Sequence, residues 1–179
     1  MEPSPELIRA MLTVCRVLNE LAIPYCLIGG LAVSMLATPR ATGDIDLAVL
    51  IDAARRKQLL AELQRSFVIV QDKPLMKLER ATIWRLVLKD QAHADELVIV
   101  DFVLADKPVY ARALSDPATI EIDGTRMQVA RPEKLLAIKE FCGRPQDIAD
   151  AQSLRDALER EKNVRHELVS CRRRSARRA

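Results

Sequence analysis

Aromatic residues are nearly missing from this chain: one Trp, two Tyr and three Phe make up 3% of its 179 residues. So few rings argue against a surface that recognises bases or sugars by stacking, and the core has to be built from Leu, Ile, Val and Ala. There is enough of it: 49% of the residues are hydrophobic, and a chain of this length buries roughly 70% of the surface it exposes when unfolded. The cysteines are few and scattered (Cys15, Cys26, Cys142, Cys171), with no CxxC pair and no histidine at ligand spacing. This argues against a zinc site and fits reduced thiols better than a disulfide framework. No apolar run approaches the ~18 residues of a membrane span. The opening Met1-Glu2-Pro3-Ser4-Pro5-Glu6 has no basic segment leading into an apolar one. The expected location is the cytoplasm, with no membrane partner.

Charge is unevenly spread. Residues 165–179 hold six Arg against Glu167, a local +5, so the other 164 residues carry −2 of the overall +3. The expected organisation is a core over residues 1–130, a helical section over 131–162 and a basic, disordered tail over 163–179. Such a tail is either a solvated terminus or a binder of nucleic acid or an acidic partner. The chain shows no internal repeat and no low-complexity segment before those arginines.

Hydrophobic spacing supplies the elements. Leu7, Met11, Val14, Leu18 and Leu21 form a helical stripe that Pro24 ends. Tyr25–Ile28 is a short apolar run, the signature of a buried strand, broken by Gly29-Gly30, with a helix-compatible stretch from Leu31 to Ala37. Ile45–Ile51 is strand-like, Ala53–Ser66 has leucines at helical spacing, and Phe67–Val70 is a further strand. Ala81–Leu88 and Glu96–Leu104 flank a polar loop as a hairpin. Thr119–Ile122 and Arg126–Val129 form a second one about Asp123-Gly124. Helices are predicted at Pro132–Cys142 and from about Asp147 to Glu161. The order indicates an α/β (α+β) domain, a mixed sheet flanked by helices with a short helical section at its C-terminal side.

Three acids interrupt otherwise apolar strands. Asp44 and Asp46 are two apart, so on a strand they project from one face with Cα atoms about 6.5–7 Å apart. Two like charges there repel and are costly to desolvate, and a pair of cations about 3.5–4 Å apart would compensate them. Asp101 stands inside Leu97–Leu104, and if its strand lies beside that of Asp44 and Asp46, three carboxylates converge. Alternatively Asp101 ends a strand or pairs with an arginine, and the earlier two are a turn acid and a helix cap. Gly29-Gly30, at a strand-to-helix turn, offers backbone N–H groups to phosphate oxygens.

Leu27-Ile28-Gly29-Gly30 followed by Arg40-Ala41-Thr42-Gly43-Asp44-Ile45-Asp46-Leu47 resembles the signature of the DNA polymerase β-like nucleotidyltransferase superfamily. Its Arg-x-Thr-x-Asp-x-Asp form is similar to the abortive-infection nucleotidyltransferase toxins and the minimal nucleotidyltransferases of bacterial toxin–antitoxin modules. Arg131-Pro132-Glu133-Lys134-Leu135-Leu136-Ala137-Ile138-Lys139 and Arg144-Pro145-Gln146-Asp147-Ile148-Ala149-Asp150 resemble a later segment of the same toxins. Together the matches cover residues from about 25 to 154.

The resemblance implies a nucleotidyltransferase fold and transfer of a nucleoside monophosphate from a nucleoside triphosphate such as ATP to a hydroxyl of a protein or RNA, releasing pyrophosphate. It implies two Mg²⁺ ions (Mn²⁺ being the alternative) on Asp44 and Asp46, with Asp101 holding one and orienting or deprotonating the acceptor. Gly29 and Gly30 would cradle the triphosphate, with Arg40, Thr42 and Lys139 as further nucleotide-binding residues and an antitoxin as partner. Arg40 reads equally as a surface arginine, Thr42 as a turn residue, and Lys139 as a lysine snorkelling from a leucine-rich helix. Asp147 and Asp150 read as charges starting the last helix. A small-molecule acceptor such as an antibiotic, or a silent nucleotide- or partner-binding protein of the same fold, are the competing functions.

Overall fold

The computed structural model describes residues 3–91 and 96–176, with side chains as far as Val164. The polar loop at 92–95 with His93, the side chains of His166, Cys171 and the terminal arginines, and residues 177–179 lie outside the described residues.

Helix α1 (Pro5–Glu20) begins at Ser4, whose hydroxyl accepts the Leu7 N–H at 3.1 Å, a cap worth about 1 kcal/mol. Its buried face carries Leu7, Met11, Val14 and Leu18, the stripe legible in the sequence. Then follow β1 (Tyr25–Ile28), α2 (Gly29–Leu36), β2 (Asp44–Val49), α3 (Ala53–Leu63) and β3 (Phe67–Asp72). The middle of the chain is β4 (Met76–Lys77), β5 (Thr82–Asp90), β6 (Leu97–Leu104) and α4 (Pro108–Ser115). The end is β7 (Ala118–Ile122), β8 (Thr125–Val129), α5 (Pro132–Cys142) and α6 (Pro145–Ala176). Hydrophobic spacing shows neither β4 nor α4, because two residues cannot alternate and eight span barely two turns.

The strands form one mixed sheet in the order β3-β5-β6-β2-β1-β8-β7, with β4 added to β5. β2 runs parallel to β6, and β1 to β8. β1 with β2, β5 with β6 and β7 with β8 are antiparallel. The Asp123-Gly124 turn has φ of 48° and 72°, the doubly positive pair of a tight hairpin that matches strand twist.

Alternation along β5 separates the two sides of the sheet. Thr82, Trp84, Leu86 and Leu88 are buried, while Ile83, Arg85 and Val87 are half-buried on the opposite face. α3 packs with α1 on the Trp84 side. α2, α4 and α5 gather on the Arg85 side, with α6 against α2 and α5. The backbone of α6 runs on past residue 162 to Ala176; among the side chains described, which reach Val164, its last buried residues are Ala151 and Leu154. Among the described residues no helix is long and apolar enough to cross a membrane.

Candidate active site

Strand register builds the site. Asp44 and Asp46 share one face of β2, and the parallel pairing of β2 with β6 sets Asp46 directly beside Asp101. A ligand oxygen from each of Asp44, Asp46 and Asp101 lies within 4.8 Å of the others. Asp101 is buried and the other two are half-buried. Burial, then the neighbouring Asp44 and Asp101 charges, push the Asp46 carboxyl up to about 7, against the pull of Lys139 and Arg144. The cluster is short of positive charge. Three convergent carboxylates are hard oxygen donors of the kind Mg²⁺ or Mn²⁺ takes, so the residues present fit a divalent cation.

One cation is already built in. Arg85 pairs with Asp101 in the β5–β6 register and donates from Nε and Nη2 to its two carboxylate oxygens at 2.6 and 2.5 Å. The pairing alternative for Asp101 and its convergence with the β2 acids thus hold together. No local pattern singles out Arg85 in the sequence; its signal is the register of the predicted hairpin, which sets position 85 opposite 101.

The glycines answer to close approach. Gly29 has φ of +67°, and a Cβ there would lie 1.9 Å from Asp46 Oδ2. At Gly30 a Cβ would lie 2.5 Å from Thr42 Oγ1 and 2.8 Å from Arg40 Nη2. At Gly29 only bare backbone fits against Asp46, and at Gly30 a side chain would have to displace Thr42 and Arg40. As first-turn residues of α2, both glycines have N–H groups with no carbonyl partner inside the helix. Thr42 donates from its hydroxyl to Asp44 Oδ1 at 3.1 Å, which steadies the first acid.

Arg40 and Lys139 occupy a second charged cluster. Arg40 holds Asp150 through Nε at 2.8 Å and Nη2 at 3.0 Å. Lys139, its side chain only 4% exposed, lies 3.0 Å from Asp147 and 2.8 Å from Asp150. Arg144 closes the group with a 2.6 Å bond to Asp147. The structure thus puts Lys139 in neither the snorkelling position nor open solvent, because two carboxylates from the first turns of α6 draw its ammonium inward. Burial raises the carboxyls of Asp147 and Asp150, but bonds from Arg144 and Lys139 to the first, and from Arg40, Lys139 and Gln146 to the second, leave both below their ordinary range. The cluster ties α5 and α6 to the loop between α2 and β2.

A cavity of about 950 Å³ joins the acids, the glycines, Arg40, Thr42 and Lys139. One side is the cationic seam of α5 and α6. Another is an apolar row across three strands, where Val103 pairs with Ile83 and Ile83 with Met76. Its volume is in the range of small-molecule and cofactor sites.

No curated protein matches the chain. Among solved structures it is similar to an antigenic nucleotidyltransferase-like protein from Paracoccidioides brasiliensis, with TM-score 0.59 and 21% identity over 95% of this chain and 94% of that one. It is also similar to a provisionally described nucleotidyltransferase from Thermotoga maritima, with TM-score 0.56 and 15% identity over 89% and 96%. At these identities the likeness shows the fold, that of the nucleotidyltransferases. Residues 7–176 match the model of a family described as nucleotidyl transferase of unknown function. Spanning nearly the whole chain, that match places it in the nucleotidyl transferase family DUF2204, to which it belongs.

Proposed function

We propose that the protein transfers a nucleoside monophosphate from a nucleoside triphosphate to a hydroxyl of a protein or RNA, releases pyrophosphate, and serves as the cytoplasmic toxin of a toxin–antitoxin pair. The observation that carries the chemistry is the meeting of Asp44, Asp46 and Asp101 within 4.8 Å beside a glycine turn that at Gly29 admits no side chain. The toxin role rests on the resemblance of the Arg40–Leu47 and Arg131–Asp150 segments.

In this reading Asp44 and Asp46 hold two Mg²⁺ ions and Asp101 holds one of them. When bound, the ions supply positive charge against the phosphates. Gly29 and Gly30 offer N–H groups to the triphosphate, and Arg40 and Arg144 add charge from the cavity wall. The acceptor oxygen forms a bond to the α-phosphorus as the bond to the pyrophosphate oxygen breaks, and the hydroxyl proton passes to the Asp101 carboxylate. A carboxylate has about four acceptor positions, so Asp101 keeps room for the hydroxyl while Arg85 holds both of its oxygens. Arg85 thereby fixes the orientation of the group that meets the acceptor.

A second reading, a small-molecule acceptor, is favoured by the Met76–Ile83–Val103 row, which suits a compact hydroxyl compound with an apolar flank. Labelled triphosphate with cell extract decides between them: label on protein or RNA supports the first, and label on low-mass products alone supports the second. Growth arrest on expression of the parent but not of Asp44→Ala/Asp46→Ala supports the toxin role, and equal growth of both contradicts it.

A further inference from the structure

Behind β5, on the face away from the three aspartates, lies a separate cavity of about 340 Å³. Ala53, Arg56, Lys57 and Leu60 of α3 line it at the i, i+3, i+4, i+7 spacing of one helical face, and the Asp72–Lys73–Pro74 connection forms the facing wall. Its floor is Trp84, only 3% exposed. The guanidinium of Arg56 lies over the Trp84 ring, 5.8 Å from the centroid, a contact that holds the cation in place without neutralising it. The single acid of the wall, Asp72, accepts the Trp84 indole N–H at 2.7 Å.

Arg56, Lys57 and Lys73 belong to none of the ion pairs formed among the described residues. Three unpaired cations converging on one concavity are a local excess in a body whose net charge, without the tail, is −2. Like charges that line one cavity repel, and they gain from a shared anion. We infer that this cavity is a binding site for a phosphate group, held by Arg56, Lys57 and Lys73. Trp84 is too deeply buried to stack on a base, so the site takes the phosphate and not the nucleoside. Its ligand is either a free phosphate or pyrophosphate or one phosphodiester of an RNA strand.

The test uses Trp84, the only tryptophan of the chain, as a reporter at the floor of the cavity. Inorganic phosphate, pyrophosphate and a short oligouridylate are titrated into the full chain without divalent metal while tryptophan emission is followed. We expect a saturable change that persists in Asp46→Asn, which silences the active site, and weakens by at least about 10-fold in Arg56→Gln/Lys73→Gln. Lys57→Gln/Lys73→Gln, which leaves the Arg56–Trp84 contact intact, is the second variant, and unchanged metal-dependent nucleotide binding in both confirms the fold. Tighter binding of the oligouridylate, with a logarithmic salt slope of about −0.7 per phosphate engaged, identifies an RNA strand. Equal or tighter binding of the small anions identifies a free phosphate. No saturable change with any of the three, or an affinity in both double variants undiminished from that of the parent, overturns the site.

Discussion

Replacing Lys139 by methionine separates a buried structural ion from a nucleotide ligand. The side chain is 4% exposed and lies 3.0 and 2.8 Å from the carboxylates of Asp147 and Asp150. Removing one member of a buried ion pair costs about 3–5 kcal/mol, because the remaining charge is left in a poor solvent. Arg144 still reaches Asp147 and Arg40 still reaches Asp150, at 2.6 and 2.8 Å, so the loss belongs at the lower end, about 3 kcal/mol. For a chain of this length that lowers Tm by about 6–12 °C. Melting at neutral pH without nucleotide or metal measures it. Asp147 and Asp150 titrate below their ordinary range in the fold. Their contribution is therefore complete above the unfolded carboxylate pKa of about 3.9 and fades as pH falls through the lower folded values. The gap between parent and Lys139→Met should narrow below about pH 4 for the same reason. A loss under about 1 kcal/mol, the scale of an exposed pair, would refute the buried network and return Lys139 to the surface or to the nucleotide.

Gly29→Ala places a Cβ 1.9 Å from Asp46 Oδ2 at a φ of +67°. Left-handed backbone alone costs about 1–2 kcal/mol, so both melting temperature and metal-dependent nucleotide binding should fall. An alanine variant with parental binding would show that the turn has slack. Asp101→Asn should keep much of the nucleotide binding, measured by calorimetry, while pyrophosphate release with acceptor falls by a factor of about 10² to 10³. Unchanged turnover would take Asp101 out of the site. Truncation after Val164 should leave Tm unchanged within a degree or two, because a segment with a charge of +5 and few apolar residues has little to pack. If the arginine tail contacts RNA, the same truncation lowers RNA affinity and flattens its salt dependence, whereas a large stability loss would show that the segment docks on the body.

The elements legible in the sequence are those in which a single physical signal acts alone. Tyr25–Ile28, Pro132–Cys142 and the Asp123-Gly124 hairpin appear where apolar run, proline start and turn chemistry set them. The β2 acids were legible through the period of two, and Asp101 through its apolar setting. Arg85 and the buried Lys139 cluster were not, since both depend on pairing between distant segments. Arg85 faces Asp101 only once the β5–β6 register is known. Arg40 meets Asp150 across a sequence separation of 110 residues, which no local pattern reports. The sequence offers Gly29 and Gly30 as a phosphate cradle, and the structure adds a steric need that holds before any ligand binds.

The most direct test of the proposed two-metal site is calorimetric titration of nucleoside triphosphates into the full chain, with and without Mg²⁺, for the parent and for Asp44→Ala/Asp46→Ala. We expect the parent to bind a triphosphate only when the metal is present, and the double variant to melt as a folded protein without binding it. Equal, metal-independent affinity in parent and variant would contradict the assignment of Asp44 and Asp46 to the metal and nucleotide site.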